Sequence, residues 1–205
     1  MQILGVKDKL RALRHYARIA DGYHHRVERG PILRILRRRE RGMVLELAEL
    51  APGLTLADVG CGNGFYALEG QRRGLRVCAI DAVPEMLAAL AGNVDDVRQR
   101  DVEDLGRMGA FDRVICAGVL DFVLDPERAF ENVCRLVAPG GRLVVLAPST
   151  GAAGWFYRAE KRLHGLRVNV FEPGWLESHS ASNGLRVVAV RRPLPGNVAI
   201  AAVRA

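Results

Sequence analysis

Asp58-Val59-Gly60-Cys61-Gly62-Asn63-Gly64 is the stretch that decides the fold. An apolar run, Leu54 to Ala57, precedes it, and a helical pattern, Phe65 to Arg72, follows it. The order is strand, glycine turn, helix. Glycines let backbone N–H groups approach a ligand and adopt positive φ. The helix start adds unpaired donors and a positive dipole end. A tight turn in any α/β protein would show the same elements. The spacing separates the nucleotide classes. A dinucleotide fingerprint needs glycine or alanine three residues after its second glycine. Gly60 and Gly62 fit that frame, but Phe65 fills the third position and the third glycine is Gly64.

Further landmarks follow in order. Leu75 to Ile80 reads as a buried strand ending at Asp81, 21 residues after Gly60. An acid there can accept from both ribose hydroxyls of a nucleotide. A weaker third strand covers Val94 to Arg100 and leads to Asp101-Val102. Phe111 to Ala117 is a fourth strand, followed by Gly118-Val119-Leu120-Asp121-Phe122-Val123. Asp125-Pro126 opens a helix expected over Glu127 to Val137, which Pro139-Gly140-Gly141 ends. Arg142 to Ala147 is the fifth strand.

Together these residues resemble the class I S-adenosylmethionine (SAM)-dependent methyltransferases. D-x-G-x-G-x-G is similar to motif I of that family, and Leu136 to Leu146 is similar to its R-x-L-K-P-G-G region. The resemblance covers roughly residues 55–148. It implies an α/β fold with a doubly wound, mostly parallel seven-stranded sheet, a C-terminal antiparallel hairpin and N-terminal helices. It implies SAM as cofactor, held by Asp58, Gly60, Cys61, Gly62, Gly64, Asp81, Ala82, Met86, Asp101, Val102, Ala117 and Gly118. In these roles Asp58 orders the loop, Asp81 holds the ribose, and Asp101 and Val102 read adenine. Met86 packs on the nucleoside or serves the core. Where many relatives resemble L-H-H, this chain has Leu120-Asp121-Phe122. Asp121 is therefore the catalytic candidate, as an orienting group or proton acceptor, against a plain loop-ordering role. Acceptor-binding candidates are Tyr16, Tyr23, Arg26, Asp121, Phe122 and Tyr157, with Arg158, His164 and Arg167 as further liners.

At 205 residues, nearly half of them apolar, the chain can bury a core as one domain. Residues 1–50 read as basic helices, 51–148 as the cofactor core, 149–184 as an acceptor-side insert and 185–205 as the hairpin. Within the insert, helices are expected over Trp155 to Leu163 and Pro173 to Ser182. Leu185 to Arg191 and Val198 to Val203 read as the last strands, joined through Pro193-Leu194-Pro195-Gly196. No apolar run approaches a membrane span, and no secretory h-region is seen, so a cytoplasmic location is expected. The four cysteines, Cys61, Cys78, Cys116 and Cys134, and the five histidines show no metal spacing.

The net charge of +7 is uneven. Residues 1–41 hold 12 Lys/Arg and 4 Asp/Glu, while the remaining 164 residues hold 18 and 19. Helices over Val6 to Ala20 and Pro31 to about Leu50 carry this excess. The second has an apolar stripe of Ile32, Leu36, Met43, Val44, Leu47 and Leu50, with Arg34, Arg37, Arg38 and Arg41 on much of the other face. A solvated basic face, an anionic small acceptor and contact with an acidic membrane surface all suit this pattern. Nucleic acid ranks last, since few aromatics are interleaved.

The leading reading is methyl transfer from SAM to a small molecule by in-line displacement. The alternatives are an RNA or protein methyltransferase, a SAM-binding protein without activity and a nicotinamide oxidoreductase. Phe65 argues against the last.

Overall fold

The computed structural model describes residues 4–22, 31–192 and 196–205; for residues 31–33 it describes the backbone alone. Its helices are α1 (Val6–Ile19), α2 (Pro31–Ala48), α3 (Phe65–Arg72), α4 (Pro84–Leu87), α5 (Pro126–Arg135), α6 (Ala152–Leu163) and α7 (Trp175–Ser182). Its strands are β1 (Thr55–Val59), β2 (Arg76–Asp81), β3 (Asp96–Gln99), β4 (Phe111–Ala117), β5 (Val137–Pro148), β6 (Leu185–Arg191) and β7 (Asn197–Arg204). A 3-10 turn, Leu120–Phe122, follows β4.

The strands form one seven-stranded sheet in the order β3-β2-β1-β4-β5-β7-β6. The first five are parallel, and β7 lies antiparallel between β5 and β6. Strand order reverses between β1 and β4. Chain crossovers leave to opposite sides there, which opens a crevice at the carboxyl ends of both strands.

Both faces of the sheet are covered at its centre, so its central strands are buried on successive residues rather than alternately. In β5, Leu143, Val145 and Ala147 enter one core with Phe130 and Phe171. Val144 and Leu146 enter the other, with Val44, Leu56 and Ala67. All four cysteines are free and buried. Burial pushes the Cys78 and Cys134 thiols up to about 12, so they pack as small apolar groups.

Several expected boundaries shift. The helix opened by Asp125 ends at Arg135, not Val137. Asp125 Oδ1 accepts from the Arg128 N–H (3.0 Å) at its start. Val137 instead pairs with Phe111 of β4, so Pro139-Gly140-Gly141 lies inside the irregular start of β5 rather than in a separating loop. Tertiary pairing with an adjacent strand outweighs helix continuation there. The third strand is shorter than Val94–Arg100, and α6 begins at Ala152, three residues before the expected Trp155. The Pro193–Pro195 connection lies outside the described residues.

Candidate functional site

The glycine loop leaves β1 at the strand-order reversal. Gly60 has φ +67°, and a Cβ there would sit 2.1 Å from Val119 Cγ2. Gly64 has φ +78°, and a Cβ there would sit 2.2 Å from Leu90 Cδ2. These two glycines let neighbouring elements close onto the loop. Gly62, at φ +51°, has no atom within 4 Å of its Cβ position. Its missing side chain leaves open space.

Acids hold the loop in shape. Asp58 is buried, and its Oδ2 accepts from the Ala67 N–H (2.9 Å) in the first turn of α3. Burial pushes its carboxyl up to about 7, against the pull of that N–H. The folded state therefore holds this proton more tightly than the unfolded chain. Stability from this group is complete below about pH 4 and is lost as pH rises to about 7 and beyond. Asp58→Asn should remove that loss, roughly 3–5 kcal/mol at full ionisation. Urea unfolding from pH 4 to 8 checks this: the variant should gain on the native chain as pH rises. Parallel curves would show that Asp58 does not titrate there.

Asp81 ends β2. Its Oδ2 accepts from the Gly62 N–H (2.8 Å), and its Oδ1 accepts from the Val83 N–H (2.9 Å). Burial raises its pKa, and these N–H groups oppose the rise. Each oxygen keeps capacity for a further donor.

These residues open onto a cavity of about 1090 Å³. Gly60, Cys61, Gly62, Asp81, Ala82, Met86, Asp101, Val102, Ala117 and Gly118 line it, as do Tyr16, Asp121, Phe122 and Tyr157. Asp58 and Gly64 do not; they lie behind the loop. Of the further liners expected, His164 reaches the cavity, whereas Arg158 and Arg167 are not in its wall. Arg167 instead lies 3.9 Å from Asp8. Tyr23 and Arg26 lie outside the described residues.

Asp101 is held by two groups. Lys9 Nζ from α1 lies 2.5 Å from its Oδ2, and the Glu103 N–H donates to its Oδ1 (3.0 Å). Lys9 also bonds Glu103. Thus α1 is pinned over this end of the cavity by a largely buried lysine. Arg37 and Arg41 of α2 also line the cavity. Arg37 Nη1 reaches Glu40 (2.6 Å), and the Arg41 guanidinium sits 4.3 Å from the Phe65 ring centroid. The expected solvated basic face is therefore divided: Lys9, Arg37 and Arg41 turn inward, while Arg11, Arg14, Arg34 and Arg38 are exposed.

Asp121, also on the cavity, is fully buried. The Tyr157 hydroxyl donates to its Oδ2 (2.5 Å). Its Oδ1 has no partner among the described residues. Burial raises the Asp121 pKa against the Tyr157 bond; burial and the Asp121 charge raise Tyr157. Asn169 fixes this turn: its N–H donates to the Asp121 carbonyl (2.8 Å), and its amide donates to the carbonyls of Leu120 and Val123 (3.1 and 2.9 Å). Tyr16 packs edge-on against Phe122, with centroids 5.2 Å apart. A second orphan is Asn63 Nδ2 in the glycine loop, buried without a partner among the described residues. Buried polar atoms are rarely left unpaired, and these two share one cavity.

Sequence reasoning missed Lys9, Arg37, Arg41, Asn63 and Asn169. Asn169 carried a signal: a lone amide between Val168 and Val170-Phe171 must find buried partners. Among the described residues no group of His, Cys, Asp and Glu is arranged to hold a metal. No helix among them is long and apolar enough to cross a membrane.

Residues 57–145 match the family model described as a methyltransferase domain. The chain is 39% identical over 99 residues to a ubiquinone biosynthesis O-methyltransferase of Xanthomonas oryzae pv. oryzae, which covers 44% of this chain and 41% of that protein. The chain thus spans under half the length of this curated relative. Among solved structures it is similar to magnesium protoporphyrin IX methyltransferase (ChlM) of Synechocystis PCC 6803 with bound S-adenosylhomocysteine. The TM-score is 0.74 at 18% identity, over 97% of this chain and 100% of that one. It is also similar to the DhpI–SAM–HEP complex, with TM-score 0.73 at 22% identity, over 98% and 100%. At such identities the likeness shows the fold. Residues 57–145 are thus similar to a methyltransferase domain, and the chain as a whole shares the fold of these solved structures.

Proposed function

We propose that this protein transfers a methyl group from SAM to a small-molecule acceptor. The observation that carries this reading is the cavity at the strand-order reversal, lined by the glycine loop, Asp81, Asp101-Val102 and Asp121. The residues fit the cofactor. Open space over Gly62 admits a close ligand, and Asn63 Nδ2 offers a buried donor. Asp81 would hold the ribose hydroxyls on its remaining lone pairs, and Asp101 with Val102 would face adenine. Bound there, SAM supplies a methyl group on a positively charged sulfur, which is already activated for transfer.

The remaining work belongs to the chain. The walls align the acceptor for in-line attack, and such positioning can lower a barrier by several kcal/mol, up to about 7–11 in well-oriented systems. Residues of α1 and α6 line the cavity and would limit water at a bound acceptor. Asp121 would orient the acceptor's O–H or N–H and take its proton. Lys161, His15 and His164 line the cavity together with the carboxylates of Asp121 and Glu160, and we infer that its cations suit an acceptor with an anionic substituent. Nearby His164, Lys161 and Arg18 join burial in lowering the His15 pKa, in keeping with a positive local field. The exposed cations of α1 and α2 suit an anionic surface as a further partner. The segments 1–50, 51–148, 149–184 and 185–205 would then act as roof, cofactor core, acceptor side and closing hairpin of one domain.

Transfer of label from methyl-labelled SAM to a panel of phenolic, carboxylic and amine acceptors tests the activity. Labelled product supports it. Tight SAM binding with no transfer to any class would favour a SAM-binding protein without activity. Asp81→Ala should weaken SAM binding by about 100-fold, in line with the loss of charged-group hydrogen bonds worth ~1.5–3 kcal/mol each. Unchanged affinity by calorimetry would remove Asp81 from the ribose role.

A further inference from the structure

Helix α6 is built the opposite way from an ordinary surface helix. Its polar Tyr157 and Lys161 face the cavity, and Gly154 packs so closely that a Cβ would sit 2.0 Å from the Ser149 carbonyl oxygen. Its apolar residues face outward. Trp155 is 65% exposed, Phe156 66% and Leu163 88%. With Ala152 and Ala159 they fall at helical spacing on one face. Amphipathic surface helices bury that stripe against the core. A contiguous exposed apolar face on a globular protein marks a surface that meets something.

The surroundings indicate what it meets. Helix α6 carries Arg158, Lys161 and Arg162 against a single acid, Glu160. Its C-terminal end adjoins α1, where Arg11 Nη1 reaches the Gly165 carbonyl (3.2 Å) and His15 lies beside His164, with centroids 6.3 Å apart. Helix α1 repeats the pattern: Val6 and Leu10 are exposed among Lys7, Arg11, Arg14 and Arg18. A second copy would bring the same positive charge to the contact. An anionic bilayer supplies both an apolar interior and opposite charge. Tryptophan suits the boundary between them, since its body is apolar and its N–H wet.

Taking an anionic surface as the partner of the basic helices, we propose that the outer face of α6 docks this protein on anionic lipid bilayers. Trp155, Phe156 and Leu163 enter the headgroup boundary, and Arg158 and Arg162 of α6 with the cations of α1 meet lipid phosphates. Apolar insertion and charge together supply the two signals that stable peripheral binding requires. Phe156 lines the cavity as well, so docking places the acceptor end of the cavity at the lipid surface.

The test uses the full chain with vesicles of phosphatidylcholine alone and of phosphatidylcholine mixed with phosphatidylglycerol. Co-sedimentation should occur with the anionic vesicles and fall with added salt. Trp155→Ser with Leu163→Ser should lower the partition coefficient by about tenfold or more, since two large apolar groups are lost. Retained SAM binding would show that this variant is folded. Arg11→Gln with Arg14→Gln separates the two surfaces. If only that pair abolishes binding, an anionic surface remains the partner and the assignment to α6 falls. Equal binding to neutral vesicles, or to none, overturns the proposal. Self-association lost in the α6 variant would do so too, by assigning the face to a second copy. None of these outcomes depends on methyl transfer.

Discussion

Asp121→Asn is expected to lower kcat for methyl transfer by roughly 10²–10⁴-fold, the range of a positioned proton acceptor, while the Kd for SAM stays within a few-fold. Asn keeps the size of the side chain and a carbonyl oxygen for Tyr157, so the turn held by Asn169 should persist. It cannot take a proton. Asp121 is fully buried, one of its oxygens is engaged by Tyr157, and the other has no partner among the described residues. Burial raises its pKa, which makes it a stronger base than an exposed carboxylate. The native rate should fall as pH drops through the Asp121 pKa, because the carboxylate is then lost; the variant should lack that limb. Tyr157→Phe should shift the limb to higher pH, since the bond that lowers the pKa disappears. A variant with an unaltered pH–rate profile and near-native kcat would make Asp121 a loop-ordering acid.

Gly60→Ala should cost both fold stability and cofactor binding, whereas Gly62→Ala should cost mainly binding. At Gly60 the added methyl would overlap Val119 Cγ2 at 2.1 Å, on a backbone at φ +67°. Overpacking costs ~1–3 kcal/mol, and left-handed backbone adds ~1–2. The loop must move, and with it the N–H of Gly62 that Asp81 holds. Gly62 has the same backbone penalty, but its methyl meets nothing within 4 Å. It projects into open space beside the loop, where a ligand approaching the backbone would meet it. We expect a loss of about 2–5 kcal/mol for Gly60→Ala by urea unfolding and about 1–2 for Gly62→Ala. SAM affinity should fall by an order of magnitude or more in both. Native affinity in Gly62→Ala would mean that the open space beside Gly62 lies outside the ligand's path.

The sheet was legible because its signals are local. Apolar strands, the glycine turn and the acid ending β2 each sit within a few residues, and together they fix the order of the parallel core. The antiparallel β7, inserted between β5 and β6, was legible only through the family resemblance. Boundaries that depend on a partner strand were not: Val137 continues the apolar pattern of α5, yet Phe111 draws it into the sheet. The site divides in the same way. Loop and strand-end residues fall at the cavity from local order alone. Lys9, 92 residues before Asp101 in sequence, reaches the cavity only through packing of α1 across the crevice. Arg37 and Arg41 share a helix with exposed arginines, and only the docking of α2 on the sheet separates the two sets. The outward apolar face of α6 reads in sequence like any amphipathic helix; its orientation is set by Gly154 against Ser149 and by Tyr157 on Asp121.

Calorimetric titration with SAM and S-adenosylhomocysteine, with NADH as the control, tests the central claim most directly. The geometry of the glycine loop and Asp81 predicts micromolar binding of both sulfur nucleotides and none of NADH. Binding of NADH in preference, or of none of the three, would contradict it.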